Sequence, residues 1–390
     1  MRVLRVLGSL DPATGGPPSV FSAAVIATAA ADASIECLTL RTRGRDIAGF
    51  PDHRRLVARG IAVHAKGGLF GAALFLLRHV RRFDVIHVDG CWVPISILAV
   101  ALARLSGRRS AVTPHETLTY EERRRTRSRL RKQIKRLIAW FYVKLCDCVI
   151  YSSALEARDS PDHRMAVVIP HPVYDDLESA PPRGVRDGFA AAGQIRFGYL
   201  GRFHPKKHLE YIISAAVRAK RSQLLLAGSG DRDYESELRE LDDGSGRISW
   251  VGFVTGQRRE QFFREVDFVV LASEYECFGM AAAEALVRGI PAIVTKRVGV
   301  ADDVAETGSG IVIANGADAL LDAFEMCCSL APERYAELQR NALRAAARYG
   351  YSSHGFAQAS LYRRLLELPE PDAASLSRSR NAAAGQIRSR

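Results

Sequence analysis

The sequence predicts an α/β protein built from two doubly wound domains that face each other across a cleft. With 390 residues, the chain is too long for one ordinary hydrophobic core and suits two domains of roughly 150–200 residues. Short apolar runs alternate with helical patterns through both halves, which is typical of parallel sheets covered by helices on both faces. A Pro-rich stretch at residues 179–184 lies between the halves and has the composition of a linker.

The N-terminal domain is predicted to span residues 1–180. Because Arg5 interrupts the short apolar stretch at the N-terminus, that stretch is predicted to be a first strand rather than a signal peptide. With the apolar runs that follow, the predicted strands lie at residues 3–7, 36–40, 61–65, 85–88, 111–113, 148–151 and 167–169. The helical patterns between them lie at residues 18–30, 70–80 and 95–105 and, as one long helix, around residues 123–145.

The C-terminal domain is predicted to span residues 181–350 and to repeat the same rhythm. Its predicted strands lie at residues 195–200, 223–227, 248–251, 267–272, 292–295 and 311–313. Helical patterns at residues 331–349 and 356–366 end the folded part, and we expect a C-terminal helix within residues 351–368 to pack back on the N-terminal domain. Residues 369–390 are rich in Pro, Ala, Ser and Arg and are predicted to be disordered.

Composition and charge narrow the class of protein and of partner. Hydrophobic residues make up 47% of the chain, as in soluble globular proteins, and no apolar run reaches the ~18 residues of a membrane-spanning helix. The formal net charge of +12 favours an anionic partner, which leaves nucleotides, nucleic acids and acidic lipid surfaces open. The seven cysteines are odd in number and lack a Cys-x-x-Cys pair, which predicts reduced thiols in the cytoplasm and no zinc site.

Two strand-to-glycine turns in the C-terminal half favour a phosphate-bearing ligand. Gly201 follows the strand at residues 195–200 and lets the backbone approach a ligand closely. Arg202 and Lys207 come next and suit a diphosphate, the arginine as a two-pronged donor and the lysine as a point charge. Gly228 begins a Gly-x-Gly turn after the next strand but lacks the full dinucleotide-binding fingerprint. Without further context, a solvated basic loop explains the first turn equally well.

One glutamate precedes a predicted helix start at Gly279 and another follows it. Glu276 lies in the loop after the strand at residues 267–272, and Glu284 lies about five residues into the helix, roughly 8 Å along it. The helix N-terminus favours a phosphate nearby. Two acids so separated suit hydroxyl groups at opposite ends of an extended ligand, although Glu284 alone also fits an exposed helix residue.

In order and spacing, these motifs resemble those of the retaining GT-B glycosyltransferases of family 4, the glycosyl transferases group 1. The motifs are Gly201-Arg202…Lys207, Gly228-x-Gly230 and Glu276-Cys277-Phe278-Gly279…Glu284-Ala285, followed by a Gly-x-Pro. The likeness covers roughly residues 2–366 and implies the GT-B fold, two Rossmann-like domains facing across a cleft. It also implies contacts with a nucleotide-sugar from Arg202, Lys207, Gly228, Glu276, Phe278, Gly279, Met280 and Glu284.

The resemblance gives each contact a part of the donor. By this likeness, Arg202 and Lys207 hold the diphosphate, and Glu284 holds the ribose hydroxyls. Glu276 holds the hydroxyls of the donor sugar, while the amides near Gly279 meet the phosphate or the sugar.

The N-terminal half matches the same family more loosely. The loop at Gly15 and Gly16 resembles the family's first glycine loop, which lies over the diphosphate. Asp89 stands where many members have a second histidine, and His115 stands where the family has a histidine beside the reacting sugar. His171, in a Pro-His-Pro turn, is expected to have a structural role.

The resemblance implies a hexosyltransferase that moves a sugar from a UDP- or GDP-linked donor to a glycan or lipid-linked acceptor with retention, in surface polysaccharide or glycolipid synthesis. His115 and Glu276 are its expected catalytic residues. No cofactor or metal ion is expected, because Arg202, Lys207 and the helix end can carry the charge of the leaving diphosphate. From the residues alone, inverting chemistry stays open, with His115 or Asp89 as a base.

Two other functions remain as alternatives. One is a nucleic-acid-binding protein, although the chain lacks the interleaved aromatic residues of such modules and no nucleic-acid partner is expected. The other is a GT-B sugar-nucleotide epimerase.

A basic segment at residues 123–136 is the most unusual surface feature. It carries nine cations and no acid, namely Arg123, Arg124, Arg125, Arg127, Arg129, Arg131, Lys132, Lys135 and Arg136. An apolar helical stripe accompanies it, formed by Leu130, Ile134, Leu137, Ile138, Phe141 and Leu145. The segment is either a core-packed helix with a solvated basic face or a surface that docks on anionic lipid at the inner face of the membrane.

Overall fold

The computed structural model describes residues 1–14, 16–42, 45–177 and 193–367, and in this part of the chain the strands form two separate sheets. The first sheet contains β1 (Arg2–Leu7), β2 (Ser34–Leu40), β3 (Ala62–Lys66), β4 (Val85–Asp89), β5 (Arg109–Thr113), β6 (Cys148–Tyr151) and β7 (Ala166–Val168). The second contains β8 (Ile195–Leu200), β9 (Ser222–Ala227), β10 (Ile248–Gly252), β11 (Phe268–Leu271), β12 (Ala292–Thr295) and β13 (Gly310–Ile313). All neighbouring strands are parallel.

The two sheets have the same winding. Their strand orders are β3-β2-β1-β4-β5-β6-β7 and β10-β9-β8-β11-β12-β13. The strand order therefore reverses between β1 and β4 in the first sheet and between β8 and β11 in the second. The predicted pair of doubly wound Rossmann-like domains is confirmed, and ligands of such sheets bind beyond the carboxyl ends of the strands at these reversals.

Helices connect the strands and cover both faces of each sheet. Those of the first half are α1 (Pro17–Ala29), α2 (Pro51–Ala58), α3 (Gly68–His79), α4 (Pro94–Leu105), α5 (Tyr120–Arg125), α6 (Arg129–Leu145) and α7 (Ala154–Arg158). Those of the second are α8 (Leu209–Arg218), α9 (Arg232–Glu240), α10 (Gly256–Glu265), α11 (Met280–Leu286), α12 (Ala301–Thr307), α13 (Ala317–Cys328), α14 (Pro332–Ala346) and α15 (Tyr351–Glu367). In the first sheet, one core cluster includes α1 and α15 and the opposite one includes α3, α4 and α6.

The single long helix predicted around residues 123–145 is wrong, because the chain breaks it into α5 and α6. Thr126 has an extended backbone, with φ of −72° and ψ of 111°, and ends α5. Ser128 then caps α6, since its hydroxyl accepts a hydrogen bond from the Arg131 backbone N–H at 3.4 Å. The basic segment therefore folds into two helices joined by a short turn rather than one continuous rod.

The last helix, α15, returns to the first sheet and lies against α1. Gly355 makes the approach so close that an added Cβ would be 2.0 Å from the Ala27 carbonyl oxygen. Gln358 accepts a hydrogen bond from Thr28 Oγ1 at 3.0 Å. The helix begins at Tyr351, earlier than the apolar pattern at residues 356–366 predicts but within the predicted range 351–368. Its first turn is held by the buried Tyr351 ring as well as by polar contacts with Arg55 and Asp176.

Across the described ranges, no helix combines the length and the apolar character that crossing a membrane requires. All seven cysteines are free thiols, and five of them are buried. The predicted domain boundary at residues 180–181, the linker at residues 179–184 and the tail at residues 369–390 lie outside the described residues.

Candidate functional site

The loops that follow the strands of the two sheets face each other and are in contact. Ser153, which follows β6, donates a hydrogen bond to the Cys277 carbonyl oxygen beyond β11 at 2.5 Å. The Lys206 ammonium, beyond β8, lies 3.7 Å from a carboxylate oxygen of Glu116, beyond β5. We call this contact region, formed by the loops that follow the strands, the inter-sheet junction.

Two glycine turns pack on each other at the edge of the second sheet. Gly201 follows β8 and Gly228 follows β9, and an added Cβ on Gly228 would be 1.8 Å from the Gly201 carbonyl oxygen. Gly228 also has a φ of +151°, so only glycine fits this turn without strain. Arg202 lies exposed beside it and has no ion pair within the described part of the chain. Its guanidinium is therefore free to meet an anion.

Glu276 forms a compact polar cluster in the loop after β11. Its Oε1 lies 2.6 Å from the Lys207 ammonium and accepts a hydrogen bond from Ser273 Oγ at 2.6 Å. Burial raises the pKa of Glu276, but the charge of Lys207 and the hydrogen bonds from Lys207 and Ser273 together lower it by more, so the pKa lies below its ordinary value. Among described residues, Oε2 has no hydrogen-bond partner, so an ionised oxygen is left to accept from a hydroxyl group.

Glu284 is already engaged by an arginine. Its side chain is buried on α11, and its Oε2 accepts a hydrogen bond from Nη2 of Arg259 on α10. Burial raises the pKa of Glu284, and the charge of Arg259 offsets only part of that rise. Glu284 is therefore not the exposed helix residue that the sequence left as an alternative. A ribose that bound to Glu284 would have to replace Arg259.

The segment between the two acids is shaped by Gly279. Its φ of +103° is left-handed, and an added Cβ would lie 2.5 Å from Val298 Cγ1. α11 begins directly after it at Met280, which is partly buried. The Phe278 ring is buried against His171, with ring centroids 4.9 Å apart, so Phe278 offers a ligand its backbone rather than its ring.

On the first sheet, His115 is held by a buried carboxylate. His115 Nε2 lies 3.1 Å from Asp89 Oδ1, and Arg5 donates two hydrogen bonds to Asp89 from Nη2, at 2.7 and 2.9 Å, and one from Nε at 3.0 Å. The Arg5 and Asp89 side chains are 2% and 1% exposed. Burial raises the pKa of Asp89, but the neighbouring groups, led by the charge of Arg5 and followed by the hydrogen bond from His115, together hold the pKa well below its usual range.

The positions of Asp89 and His115 distinguish between the two residues that the sequence left open as a catalytic base. Asp89 is ionised, buried and engaged through both oxygens, so it has no face toward a substrate. His115 keeps 12% of its side chain exposed, and because Nε2 faces Asp89, Nδ1 is the ring nitrogen that points away from that carboxylate. His115 and the following Glu116 both have left-handed backbones, with φ of 50° and 71°. Two consecutive non-glycine residues in this region store strain, which is common at functional sites.

The C-terminal helix supports this cluster from behind. Gln358 Oε1 accepts a hydrogen bond from Arg5 Nη1 at 3.0 Å, and the Tyr362 hydroxyl lies 2.5 Å from His87 Nδ1. Burial lowers the pKa of His87 well below its ordinary value, so this histidine is neutral. α15 therefore positions the residues that hold His115.

His171 lies between the two halves of the site. Its ring centroid is 5.2 Å from that of His115 and 4.9 Å from that of Phe278. Burial lowers the pKa of His171 well below its ordinary value, which keeps the imidazole neutral beside His115. The turn role expected from the sequence is incomplete, because the ring also joins the two sheets at the junction.

Glu116 gathers positive charge from both halves. Arg125 on α5 donates to its Oε1 at 3.0 Å, and the same oxygen lies 3.7 Å from the Lys206 ammonium. Arg125 is also 3.7 Å from Glu274 of the second sheet. Burial raises the pKa of Glu116, although Lys206 and Arg125 oppose the rise. α5 thus contacts the junction directly.

The first glycine loop is only partly described. Gly16 is exposed and caps α1, with a φ of −69° and open space around its Cα. Gly15 lies outside the described residues. In the described part of the chain, no group of three or more His, Cys, Asp or Glu side chains is arranged to hold a metal ion.

Sequence reasoning missed three partners of the site residues, namely Arg5, Glu116 and Arg259. For Arg5 a signal exists, since a charge inside an otherwise apolar strand must find a buried partner. Glu116 and Arg259 carry no such local signal, because their partners come from distant segments.

Two family models match the chain. The one described as Glycosyl transferases group 1 matches residues 186–345, and the one described as Glycosyltransferase Family 4 matches residues 22–177. An uncharacterized glycosyltransferase of Methanocaldococcus jannaschii is 32% identical over 117 residues, which are 29% of this chain and 30% of that protein. The uncharacterized glycosyltransferase YqgM of Bacillus subtilis is 27% identical over 264 residues, which are 64% of this chain and 70% of that protein.

Solved structures share the fold. HepE from Anabaena, in complex with UDP, matches with a TM-score of 0.74 at 18% identity, covering 93% of this chain and 100% of that chain. Sucrose-phosphate synthase from Thermosynechococcus elongatus matches with a TM-score of 0.72 at 20% identity, covering 94% of this chain and 99% of that chain. At these identities the likeness concerns the fold.

Proposed function

The chain belongs to the glycosyl transferases group 1 and has the GT-B fold, and we propose that it moves a hexosyl group from a UDP- or GDP-linked sugar to a glycan or lipid-linked acceptor. In this proposal the anomeric configuration is retained, and the product enters surface polysaccharide or glycolipid synthesis. The observation that carries the proposal is the ionised Glu276, which pairs with Lys207 from the same loop as Arg202, a cation with no ion pair among the described residues. UDP and UDP-glucose in HepE, which shares the fold, support a nucleotide-sugar donor.

The donor would lie along the edge of the second sheet. Arg202 and Lys207 would meet its diphosphate, with backbone from Gly228 and from the segment Phe278, Gly279 and Met280 close by. Glu276 Oε2 would accept from a sugar hydroxyl, and Glu284 would accept from the ribose after releasing Arg259. The loop at Gly15 and Gly16 would cover the diphosphate from the first sheet.

The chemical step needs stabilisation of two developing charges. As the bond between the anomeric carbon and the diphosphate breaks, negative charge grows on the leaving oxygen, and Arg202 and Lys207 supply positive charge there. The acceptor oxygen would attack from the same face, and its proton would pass to the leaving phosphate oxygen. His115 would hold the reacting sugar from the first sheet, with its tautomer set by Asp89. Because Arg202 and Lys207 supply this positive charge, the mechanism requires no metal ion.

Neither the nucleic-acid-binding protein nor the epimerase, the two alternative functions, gains support. The family match and the acid-lined edge of the second sheet both argue against nucleic acid, since Glu276 and Glu284 would repel a phosphate backbone. An epimerase would share the donor site, but no observation favours it over transfer.

Binding and turnover together test the proposal. We expect UDP, GDP or one of their sugars to raise the melting temperature of the wild type. Glu276→Ala should lose turnover while still melting cooperatively, whereas Glu284→Ala should mainly weaken nucleotide binding. Glu274→Ala, an exposed glutamate of the same loop, is the matched control. A panel in which no nucleoside diphosphate or nucleotide-sugar shifts the melting temperature would end the proposal.

We further propose that the protein works in the cytoplasm at the inner face of the membrane. Only the C-terminal half of the predicted apolar stripe of α6 packs inward, and its exposed part includes Leu130, Ile134 and Leu137, which are 71%, 47% and 64% exposed. α3 belongs to the same helical layer and exposes Phe70. A basic, apolar surface of this kind suits an anionic bilayer.

Flotation tests this location. The wild type should float with vesicles that contain phosphatidylglycerol and not with pure phosphatidylcholine vesicles. Leu130→Ser/Leu137→Ser should reduce flotation, while Val57→Ser/Phe356→Ser, exposed apolar residues on the opposite layer, should not. Equal flotation of both double variants would refute a role for α6.

A further inference from the structure

A basic pocket lies between α5 and the first half of α6. Its volume is about 350 Å³, and it is lined by Tyr120, Arg123, Arg124, Lys132 and Arg136. The turn at residues 126–128 folds the two helices against each other, which brings cations from both to one place. A single continuous helix would have spread them along a rod.

The charge of this pocket is largely uncompensated. Arg124 has one distant acid partner, Glu121 at 3.7 Å, and in the described part of the chain the other three cations have no ion pair. Arg123 lies over the Tyr120 ring, 4.3 Å from its centroid, and its Nη2 is buried without a hydrogen-bond acceptor. An anion in the pocket would give this buried nitrogen the acceptor that it lacks among the described residues.

Neighbouring cations on the same helices behave differently. Arg125 donates to Glu116, and the Lys135 ammonium lies 2.5 Å from Glu122 Oε1. The basic segment therefore contains cations that are neutralised inside the protein and cations that converge on the pocket, while Arg127, Arg129 and Arg131 are exposed outside it.

An apolar surface continues directly from the pocket. Trp140 lies one helical turn beyond Arg136 on the same side of α6, and it is 52% exposed. Leu137 continues this surface around α6 next to Trp140, whereas Ile134 lies on the side of the helix opposite Lys132 and Arg136. An anionic group in the pocket could thus carry an apolar chain along α6.

The pocket is also close to the junction. α5 has six residues and is therefore only about 9 Å long. One of its arginines, Arg125, contacts Glu116 beside His115, while Arg123 and Arg124 line the pocket. A sugar attached to a group in the pocket would need to extend over one short helix to reach the site.

We propose that this pocket binds the phosphate or diphosphate of a lipid-linked acceptor, with the lipid chain along Trp140 and Leu137 of α6 and the sugar directed over α5 toward His115. Guanidinium groups of Arg123 and Arg136 match phosphate oxygens as two-pronged donors, and Lys132 adds a point charge. The proposal rests on the proposed transferase function and names the chemical class of its acceptor.

Calorimetric titration with farnesyl diphosphate tests the pocket, with UDP and GDP both present at saturating concentration so that the donor site is occupied. We expect binding to the wild type, and Lys132→Ala/Arg136→Ala should weaken it by at least about tenfold, since each charge-assisted contact contributes substantially. Arg127→Ala/Arg131→Ala removes the same charge from exposed positions outside the pocket and should change affinity by less than about twofold. Equal losses in both variants, or no binding to the wild type, would overturn the proposal.

Two further titrations distinguish a lipid-linked phosphate from a soluble one as the ligand of the pocket. Inorganic diphosphate should compete but bind more weakly than farnesyl diphosphate, and Trp140→Ser should remove that difference. If inorganic diphosphate binds as tightly as farnesyl diphosphate, the pocket serves a soluble phosphate and the lipid assignment fails. The nucleotide-sugar melting panel is independent of these titrations, so the two proposals fail separately.

Discussion

The buried pair of Arg5 and Asp89 allows a sharp test of how His115 is held. In Asp89→Asn the shape of the side chain is nearly kept, but the guanidinium loses its counter-charge in a site where both side chains are at most 2% exposed. Breaking a buried ion pair from one side costs about 3–5 kcal/mol. We therefore expect the free energy of unfolding to fall by that amount at neutral pH.

The pH dependence follows from the lowered pKa of Asp89. A carboxylate whose pKa is depressed by folding stabilises the protein fully above the pKa of an ordinary aspartate and loses that contribution as pH falls through its folded value. The stability difference between wild type and Asp89→Asn should thus stay constant from pH 8 to about pH 5 and shrink below about pH 4. Other acids titrate in both proteins and cancel.

A double variant separates stability from chemistry. Arg5→Met/Asp89→Asn removes the uncompensated charge and should recover much of the lost stability in urea unfolding. Turnover should stay low in both variants, because the neutral amide that replaces the Asp89 carboxylate no longer supplies the charge that fixes the His115 tautomer. If the double variant regains turnover together with stability, Asp89 supports the fold only, and the reasoning about His115 is wrong.

Two further outcomes follow from the second sheet. Gly279→Ala places a side chain on a left-handed backbone against Val298 and should lower the free energy of unfolding in urea by about 1–3 kcal/mol. Gly16→Ala, which lies in open space at φ −69°, should change the free energy of unfolding by less than about 0.5 kcal/mol. Equal urea midpoints for the two variants would refute the strain argument. Arg259→Ala removes the charge that opposes the burial-driven rise in the pKa of Glu284, so nucleotide affinity should fall on acidification from a higher pH than in the wild type. Arg258→Ala, which removes a guanidinium that donates a hydrogen bond to the Val251 carbonyl oxygen, should keep the wild-type pH profile.

Most strands and helices can be predicted from local sequence patterns, and the elements that were predicted wrongly have physical reasons. Runs of buried β-branched residues mark strands such as β11 because a parallel sheet buries both faces. The break between α5 and α6 escapes the helical pattern because no Gly or Pro marks it, although Ser128 is a recognisable cap. The early start of α15 depends on contacts with a distant segment, which an apolar pattern does not contain.

The site was predictable only where its residues are close in sequence or in sheet order. Lys207 and Glu276 belong to two strand-end loops whose positions follow from the sheet order, so their proximity could be expected. Arg259 reaches Glu284 from a separate helix, and no spacing rule places that contact. The sequence therefore indicated two candidate acids, but not that one of them is engaged by an arginine.

The Arg5–Asp89 pair shows what a sheet order adds to a sequence. β1 and β4 are neighbours, with Arg5 opposite His87 and Leu7 opposite Asp89. A long arginine side chain can therefore reach an acid that lies toward the carboxyl end of the adjacent strand, at the switch point of the sheet. Since a buried cation requires a partner, Asp89 becomes the expected counter-ion once these strands are paired. The residue that departs from the family's usual histidine is thus accounted for by an arginine in the first strand, and the two should be exchanged together in any variant that restores the histidine.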